Sequence, residues 1–304
     1  MMTLSKRKKH KEKVIRSLRE KILHEIVFVL FIVYAITLIY PFVFVFLNSL
    51  NAAPGTPLEF RQSLKQMEDH PFRLPTKFAL SSYVEAFKQM DIVNMYYNTI
   101  TLAVGQTFFS MMLTCMAAYI LAKYPFKGSS ALYTFIIVCS IVPTFGAEAA
   151  TFKLMARTKL RNTYLGMILL CGGMGGPFLY VHSFFKGVPW SFAESAKIDG
   201  ASDFRIFVQI MIPLAKNGIM VFTIMKFMGY WNEYWLPYLY YHNRPTLAVG
   251  LYEMQSFAGS TKEGGLAWSV FFAGTILCII PVLVAYAFLS DKLMGNLTAG
   301  GIKG

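Results

Sequence analysis

Six long stretches of this chain carry almost no charge, and that pattern decides which solvent the fold must suit. They run over about 26–47, 100–121, 130–147, 163–185, 218–240 and 266–290. A helix needs about 20 predominantly apolar residues to cross about 30 Å of hydrocarbon. In lipid every backbone polar group must be satisfied within the protein, which favours helices of this length. The third stretch is the shortest. The fifth alone holds full charges, Lys226 and Glu233. Across all 304 residues, 55% are hydrophobic and 15% charged, against about 25% charged in soluble domains. The expectation is an all-α integral membrane protein with six transmembrane helices.

Charge placement sets the expected orientation. Residues 1–25 hold nine Lys or Arg against three Glu, within a net charge of +13. Basic residues beside a span stay cytoplasmic. Both termini are therefore expected in the cytoplasm of a cell-membrane, multi-pass protein. The 1–25 tail also spaces Val14, Ile15, Leu18 and Ile22 as one apolar helical face, suited to an anionic leaflet. The first transmembrane helix follows at 26–50, an extracytoplasmic loop at 51–95, a transmembrane core at 96–290 and a cytoplasmic tail at 291–304. Nucleic-acid binding is excluded as a reading of the basic balance, because the excess lies beside a span and no nucleic-acid module is visible. Lys153, Arg157, Lys159 and Arg161 form a basic cluster on the expected outer side. It reads as a solvated loop face or a docking patch.

Catalytic chemistry finds little support. Cys115, Cys139, Cys171 and Cys278 all lie in predicted spans, without CxxC spacing or a neighbouring metal-ligand histidine. No GxxxxGK[ST] loop occurs, and His182 and Glu148 stand isolated, so the chain is expected to bind no cofactor or metal. Gly172 and Gly176 make a GxxxG step for close helix packing or a hinge, and Pro177 should kink the helix that contains them. The 51–95 loop, with Pro54, Pro57, Pro71 and Pro75, is long enough to hold short helices and a binding role.

The loop at 187–215, between the fourth and fifth spans, has the clearest local physics. Ser191 and Glu194 have the spacing of a capping box. Gly200 suits the left-handed residue that ends a helix. Ser202 and Asp203 suit a new start. The segment reads as a short helix, a sharp turn and a second helix. A helix of about nine residues is marginal alone in water and needs a surface to rest on. Phe192, Ala193, Ala196 and Ile198 are its apolar contacts, and Glu194, Lys197 and Asp199 its charges.

Glu194-Ser195-Ala196, Asp199-Gly200-Ala201 and Ile212-Pro213-Leu214 resemble the "EAA … G … I-x-LP" loop of ABC-importer permeases, with Ser195 where that family usually has Ala. Asn98-Thr99, the run Trp231-Asn232-Glu233-Tyr234 with Pro237, and the ending Asn296 to Gly304 resemble the carbohydrate branch, specifically the shorter permease of maltose-type importers. The resemblance implies that the loop is a cytoplasmic coupling helix docking on an ATP-binding subunit through Glu194, Ser195, Ala196, Asp199, Gly200, Ala201 and Pro213. It implies a second permease subunit, two ATP-binding subunits that carry the ATP and Mg2+, an extracytoplasmic substrate-binding protein, and a sugar or oligosaccharide as cargo.

The fifth span supplies a candidate substrate path. Thr223, Lys226, Tyr230, Glu233 and Pro237 recur at helical spacing, and Trp231, Asn232 and Tyr234 crowd beside them. A mid-span Lys should face a cavity or a carboxylate, not lipid. Aromatic rings suit the apolar faces of pyranoses, and acid or amide groups suit their hydroxyls. Trp235 to Tyr241 can equally be an interfacial aromatic belt. A stand-alone ion-coupled carrier is the competing class. It would need paired intramembrane carboxylates, of which Glu233 is the clear candidate.

Overall fold

A computed structural model describes residues 18–51, 78–142, 146–171, 175–258 and 267–299, with isolated positions between 59 and 70. The described residues are helical apart from turns and one isolated bridge, Asn51 to Phe78. The helices are α1 (Leu18–Ser49), α2 (Ser81–Gln89), α3 (Ile92–Lys123), α4 (Ser129–Ile141), α5 (Glu148–Arg157), α6 (Tyr164–Leu170), α7 (Pro177–Gly187), α8 (Ser191–Ile198), α9 (Asp203–Ile206), α10 (Ile212–Asn232), α11 (Trp235–Tyr240), α12 (Leu247–Phe257) and α13 (Trp268–Ala299). A π-helical turn, Phe207–Met211, joins α9 to α10 without a break.

Helix α3 is the central pillar, because three apolar clusters are strung along it. Near its start, Ile92 and Met95 pack with Met90, Trp231, Leu247, Met254 and Val270. At its middle, Leu102 meets Met155, Met167, Tyr240 and Tyr241. Towards its end, Met111, Cys115, Ala118 and Tyr119 meet Phe178, Val181, Phe185, Ala193, Ala196, Phe207 and Met211. The opposite face of the same helix leaves Val104 and Phe108 exposed, as α1 leaves Phe31 and Tyr34. Large apolar side chains exposed in such number along long helices fit a lipid surround.

Three helical stretches are long and apolar enough to cross a membrane alone: Lys21–Ser49, Ile92–Lys123 and Asp203–Asn232. Ser129–Ile141 and Trp268–Val284 are shorter apolar helices. Several helices outrun the apolar stretches. The second long helix begins eight residues before its stretch, at Ile92, and the helix of the fifth stretch grows out of the 187–215 loop from Asp203. The helix of the sixth span continues to Ala299, into the stretch expected to be a tail.

Two expected spans are broken. The 163–185 stretch is two half-helices, α6 and α7, with left-handed Gly175 (φ +56°) just before Pro177. Pro177 therefore starts a helix instead of kinking one, the position where its missing N–H costs least. The 218–240 stretch is interrupted at Glu233, which is extended at φ −70° and ψ 118°. Gly172 of the GxxxG step, the loop prolines, Val14 and Ile15 of the amphipathic tail, and residues 300–304 lie outside the described residues.

A tight glycine seats α6 against the segment that leaves α5. A Cβ on Gly166 would press into the Leu160 carbonyl oxygen and come within 2.7 Å of Met155 Cε. Gly166→Val is therefore expected to lower the thermal midpoint of the detergent-solubilised protein, since overpacking costs about 1–3 kcal/mol. Gly176→Ala, with open space at its Cβ, should leave the midpoint unchanged. Equal midpoints for both variants would refute the packing argument.

Candidate functional site: a tethered loop helix and an intramembrane polar cluster

The loop between α7 and α10 forms the expected helix, turn and helix. Gly200 is left-handed at φ +80°. Ala201 N donates to Ala196 O at 2.9 Å and Gly200 N to Lys197 O at 3.0 Å, the paired bonds that close a helix at a left-handed residue. Ser202 caps the next helix, its hydroxyl accepting from Arg205 N at 3.4 Å. The Ser191 capping box does not form. Trp190 occupies the cap position, Ser191 lies inside α8, and no side chain bonds the first turn. Pro213 is exposed directly after the π-helical turn. Proline lacks an N–H and crowds the carbonyl four residues back, and a widened turn relieves both effects.

The two faces of α8 differ sharply. Ala193 and Ala196 are buried in the chain's own core beside Tyr119 and Phe207, so they are not free for a partner. Phe192 (48% exposed), Ile198 (87%) and Phe204 (70%) stand outward. Glu194, Ser195, Asp199 and Gly200 are also exposed, while Ala201 is half-buried.

Charge divides in the same way. Lys197 Nζ pairs with Asp203 Oδ1 at 2.9 Å across the Gly200 turn. Tyr124 Oη donates to the same oxygen at 2.9 Å. Lys197 Nζ also lies 5.6 Å from the Tyr124 ring and 5.8 Å from the Trp190 ring. Lys123 Nζ donates to the Val188 and Lys186 carbonyls. Burial pushes the Tyr124 phenol well up, and its hydrogen bonds with Tyr119 and Asp203 push it further. It thus remains a neutral donor throughout the physiological range. The carboxylate of Glu194 has no hydrogen bond or ion pair among the described residues. The loop is thereby tied at both ends to the end of α3, with Glu194 left unpaired. No sequence signal points to Tyr124, which stands 79 positions from its partner Asp203.

The structure divides the membrane-interior candidates into three groups, because the helix ends at Asn232. Glu233 does not continue the face of Lys226 and Tyr230. Its Oε1 accepts from Trp235 N at 2.9 Å and Leu236 N at 3.2 Å, capping α11. Trp231, Asn232 and Tyr234 line a cavity of about 580 Å³ with Tyr252, Gln255 and Phe271. There the Tyr234 and Tyr252 rings stack at 4.8 Å. Lys226 and Tyr230 lie instead by Gly175 and Cys171. Tyr230 Oη donates to Cys171 O at 3.3 Å, and Lys226 Nζ lies 5.7 Å from the Tyr230 ring centroid. No group of three or more His, Cys, Asp or Glu that could hold a metal occurs among the described residues.

On the basic cluster, Arg161 stacks over Phe152 at 4.5 Å, and Lys153, Arg157 and Lys159 are exposed around α5.

Comparison with known proteins gives a consistent result. Residues 110–294 match the family described as binding-protein-dependent transport system inner membrane component. The maltodextrin transport system permease protein MdxG of Bacillus subtilis is 31% identical over 231 residues, covering 75% of this chain and 81% of that protein. The diacetylchitobiose uptake system permease protein NgcG of Streptomyces coelicolor is 28% identical over 275 residues, covering 89% and 86%. The fold is similar to a chain of a bacterial ABC transporter involved in the import of the acidic polysaccharide alginate, with a TM-score of 0.76, 22% identity, and coverage of 91% of this chain and 98% of that one. The match over residues 110–294 spans more than half of the sequence, and the chain belongs to the binding-protein-dependent transport system inner membrane component family.

Proposed function

We propose that this chain is a permease subunit of an ATP-binding-cassette importer for a sugar or oligosaccharide, working with a second permease, two ATP-hydrolysing subunits and an extracytoplasmic binding protein. The relatives carry names of maltodextrin, diacetylchitobiose and starch-product transport, which favours a saccharide cargo. Family membership does not favour the stand-alone ion-coupled carrier.

One observation carries the mechanism: α8 presents Phe192, Glu194 and Ile198 outward while its other face is tied to α3. A short helix held this way transmits a push. A motor subunit gripping the exposed face would move α3, α7 and the start of α10 together, because all three share one apolar cluster with α8. Six passes result when α6 and α7 together make one crossing beside α1, α3, α4, α10 and α13. With the basic N-terminus in the cytoplasm, α8 then lies on the cytoplasmic side. The chain supplies positioning and passage, and the ATP and Mg2+ belong to the partner subunits.

The test is reconstitution of the four-subunit complex in proteoliposomes with its binding protein. ATP hydrolysis is expected to rise several-fold when saccharide-loaded binding protein is added, and to stay low when this chain is omitted. Saccharide uptake by this chain alone, driven by an ion gradient, would overturn the reading.

A further inference from the structure

Among the described residues, the hydrogen bonds that reach the 187–215 loop from α3 come from two consecutive side chains at its end. Lys123 donates to the Lys186 and Val188 carbonyls, where the loop begins. Tyr124 donates to Asp203 Oδ1 at 2.9 Å, at the start of α9. One point on α3 thus holds the chain before α8 and the chain after it.

The Tyr124 ring is fixed from two sides. It is the first residue beyond α3 and is extended, at φ −112° and ψ 103°. Its ring meets Tyr119 at 5.6 Å and Trp190 at 5.5 Å, both edge-on, an arrangement that aromatic pairs favour. The Tyr119 and Tyr124 hydroxyls lie 3.4 Å apart. A phenol has one proton to give. That of Tyr124 goes to Asp203, so Tyr119 is the donor between the two.

The hydroxyl does what the surrounding packing cannot. Ala193 and Ala196 share an apolar cluster with Tyr119 and Phe207. Apolar burial is non-directional, so it selects the inward face of α8 and leaves its tilt free. A hydrogen bond to a carboxylate is directional and of the stronger kind. The Lys197–Asp203 pair is no substitute. Both side chains belong to the loop itself and are 43% and 64% exposed, where an ion pair contributes little. That pair closes the Gly200 turn, and the Tyr124 hydroxyl anchors the closed turn to α3.

We propose that Tyr124 is a positioning residue for energy coupling. Its hydroxyl, bonded to Asp203, makes α8, the Gly200 turn and α9 move as one body with the end of α3 when an ATP-hydrolysing subunit displaces α8. The inference rests on the importer reading and gives it a point of transmission. Without the hydroxyl, α8 stays docked but tilts on its apolar contacts, and less of the displacement reaches α3.

The experiment uses the complete complex and measures the distance between spin labels on Lys127→Cys, in the turn after Tyr124, and Arg205→Cys, in α9. Both positions are exposed, and the exposed Cys139 is replaced by serine. With Tyr124 intact, the distance is expected to be the same without nucleotide and after vanadate trapping of the hydrolysed nucleotide. In Tyr124→Phe it should be unchanged without nucleotide and shift by about 2 Å or more on trapping, the scale of helix shifts in switching transitions. The ATP-hydrolysing subunits should still co-purify. Asp203→Ala should reproduce the shift, while Asp203→Asn, which keeps an acceptor for the phenol, should not. Tyr124→Phe combined with Asp203→Ala should shift no further than either alone. The two Asp203 variants decide the matter if Tyr124→Phe does not assemble. A variant displaced already without nucleotide would make Tyr124 a structural prop and overturn the proposal. Trapping that shifts the intact and substituted chains equally, or shifts neither, would overturn it too. If the unsubstituted chain retains no ATP-hydrolysing subunit, the importer reading itself falls.

Discussion

Replacing Gly200 by valine is expected to abolish ATP-driven uptake while the chain reaches the membrane in normal amount. Gly200 sits at φ +80° with nothing within 4 Å of a built Cβ. The penalty is therefore backbone strain and not a clash. A β-branched residue is a true outlier there, and the left-handed conformation costs L-residues about 1–2 kcal/mol. Relaxing the valine towards the right-handed region would continue α8 past its end. That would break the Ala201 to Ala196 and Gly200 to Lys197 bonds and re-aim α9. The Lys197–Asp203 pair, which spans the turn at 2.9 Å, would separate with them. The exposed face of α8 would then no longer stand where a motor subunit grips it. Asparagine tolerates the left-handed region far better, so Gly200→Asn should keep more than about half of the uptake by the same reasoning. Membrane abundance by immunoblot and uptake by the reconstituted complex separate folding from coupling. Full uptake by the valine variant would disprove the role given to this turn.

The second large effect is expected from Glu194→Arg. Of the charges on α8, Lys197 is engaged within the chain, whereas the Glu194 carboxylate stands exposed and unpaired. Beside the outward Phe192 and Ile198, it is the natural anchor for a basic group on an ATP-hydrolysing subunit. Juxtaposing like charges in an interface costs several kcal/mol, so association should weaken by about 30-fold or more at 1.4 kcal/mol per factor of ten. Co-purification of the ATPase from solubilised membranes, with binding to the second permease as control, measures it. Undiminished co-purification would place the grip elsewhere on the loop. Ala196→Ser supplies a contrast: that side chain is buried against the chain's own core, so the change should perturb stability before it perturbs docking.

Much of this was legible from local patterns. The apolar stretches overlap the three helices long and apolar enough to cross a membrane, and a glycine followed by Ser202 and Asp203 located the turn, because a left-handed residue and a helix cap are properties of a few consecutive residues. The break at Glu233 was hidden for the same reason. Its neighbours Trp231, Tyr234 and Trp235 continue an apolar pattern in either conformation, so periodicity ran through a helix end. The capping box failed because Trp190, packed 5.5 Å from the Tyr124 ring, takes the cap position and carries Ser191 into the helix.

The sequence by itself determined the solvent, the helical class and the short helix-turn-helix of the loop. These follow from apolar run length and from backbone preferences that act within a few residues. Only the tertiary structure decided which face of α8 remains free, that Tyr124 and Lys123 hold it, and that Lys226 lies outside the cavity lined by Trp231. Those outcomes depend on side chains brought together from distant parts of the chain, and the packing that brings them together leaves no periodic trace in the order of residues.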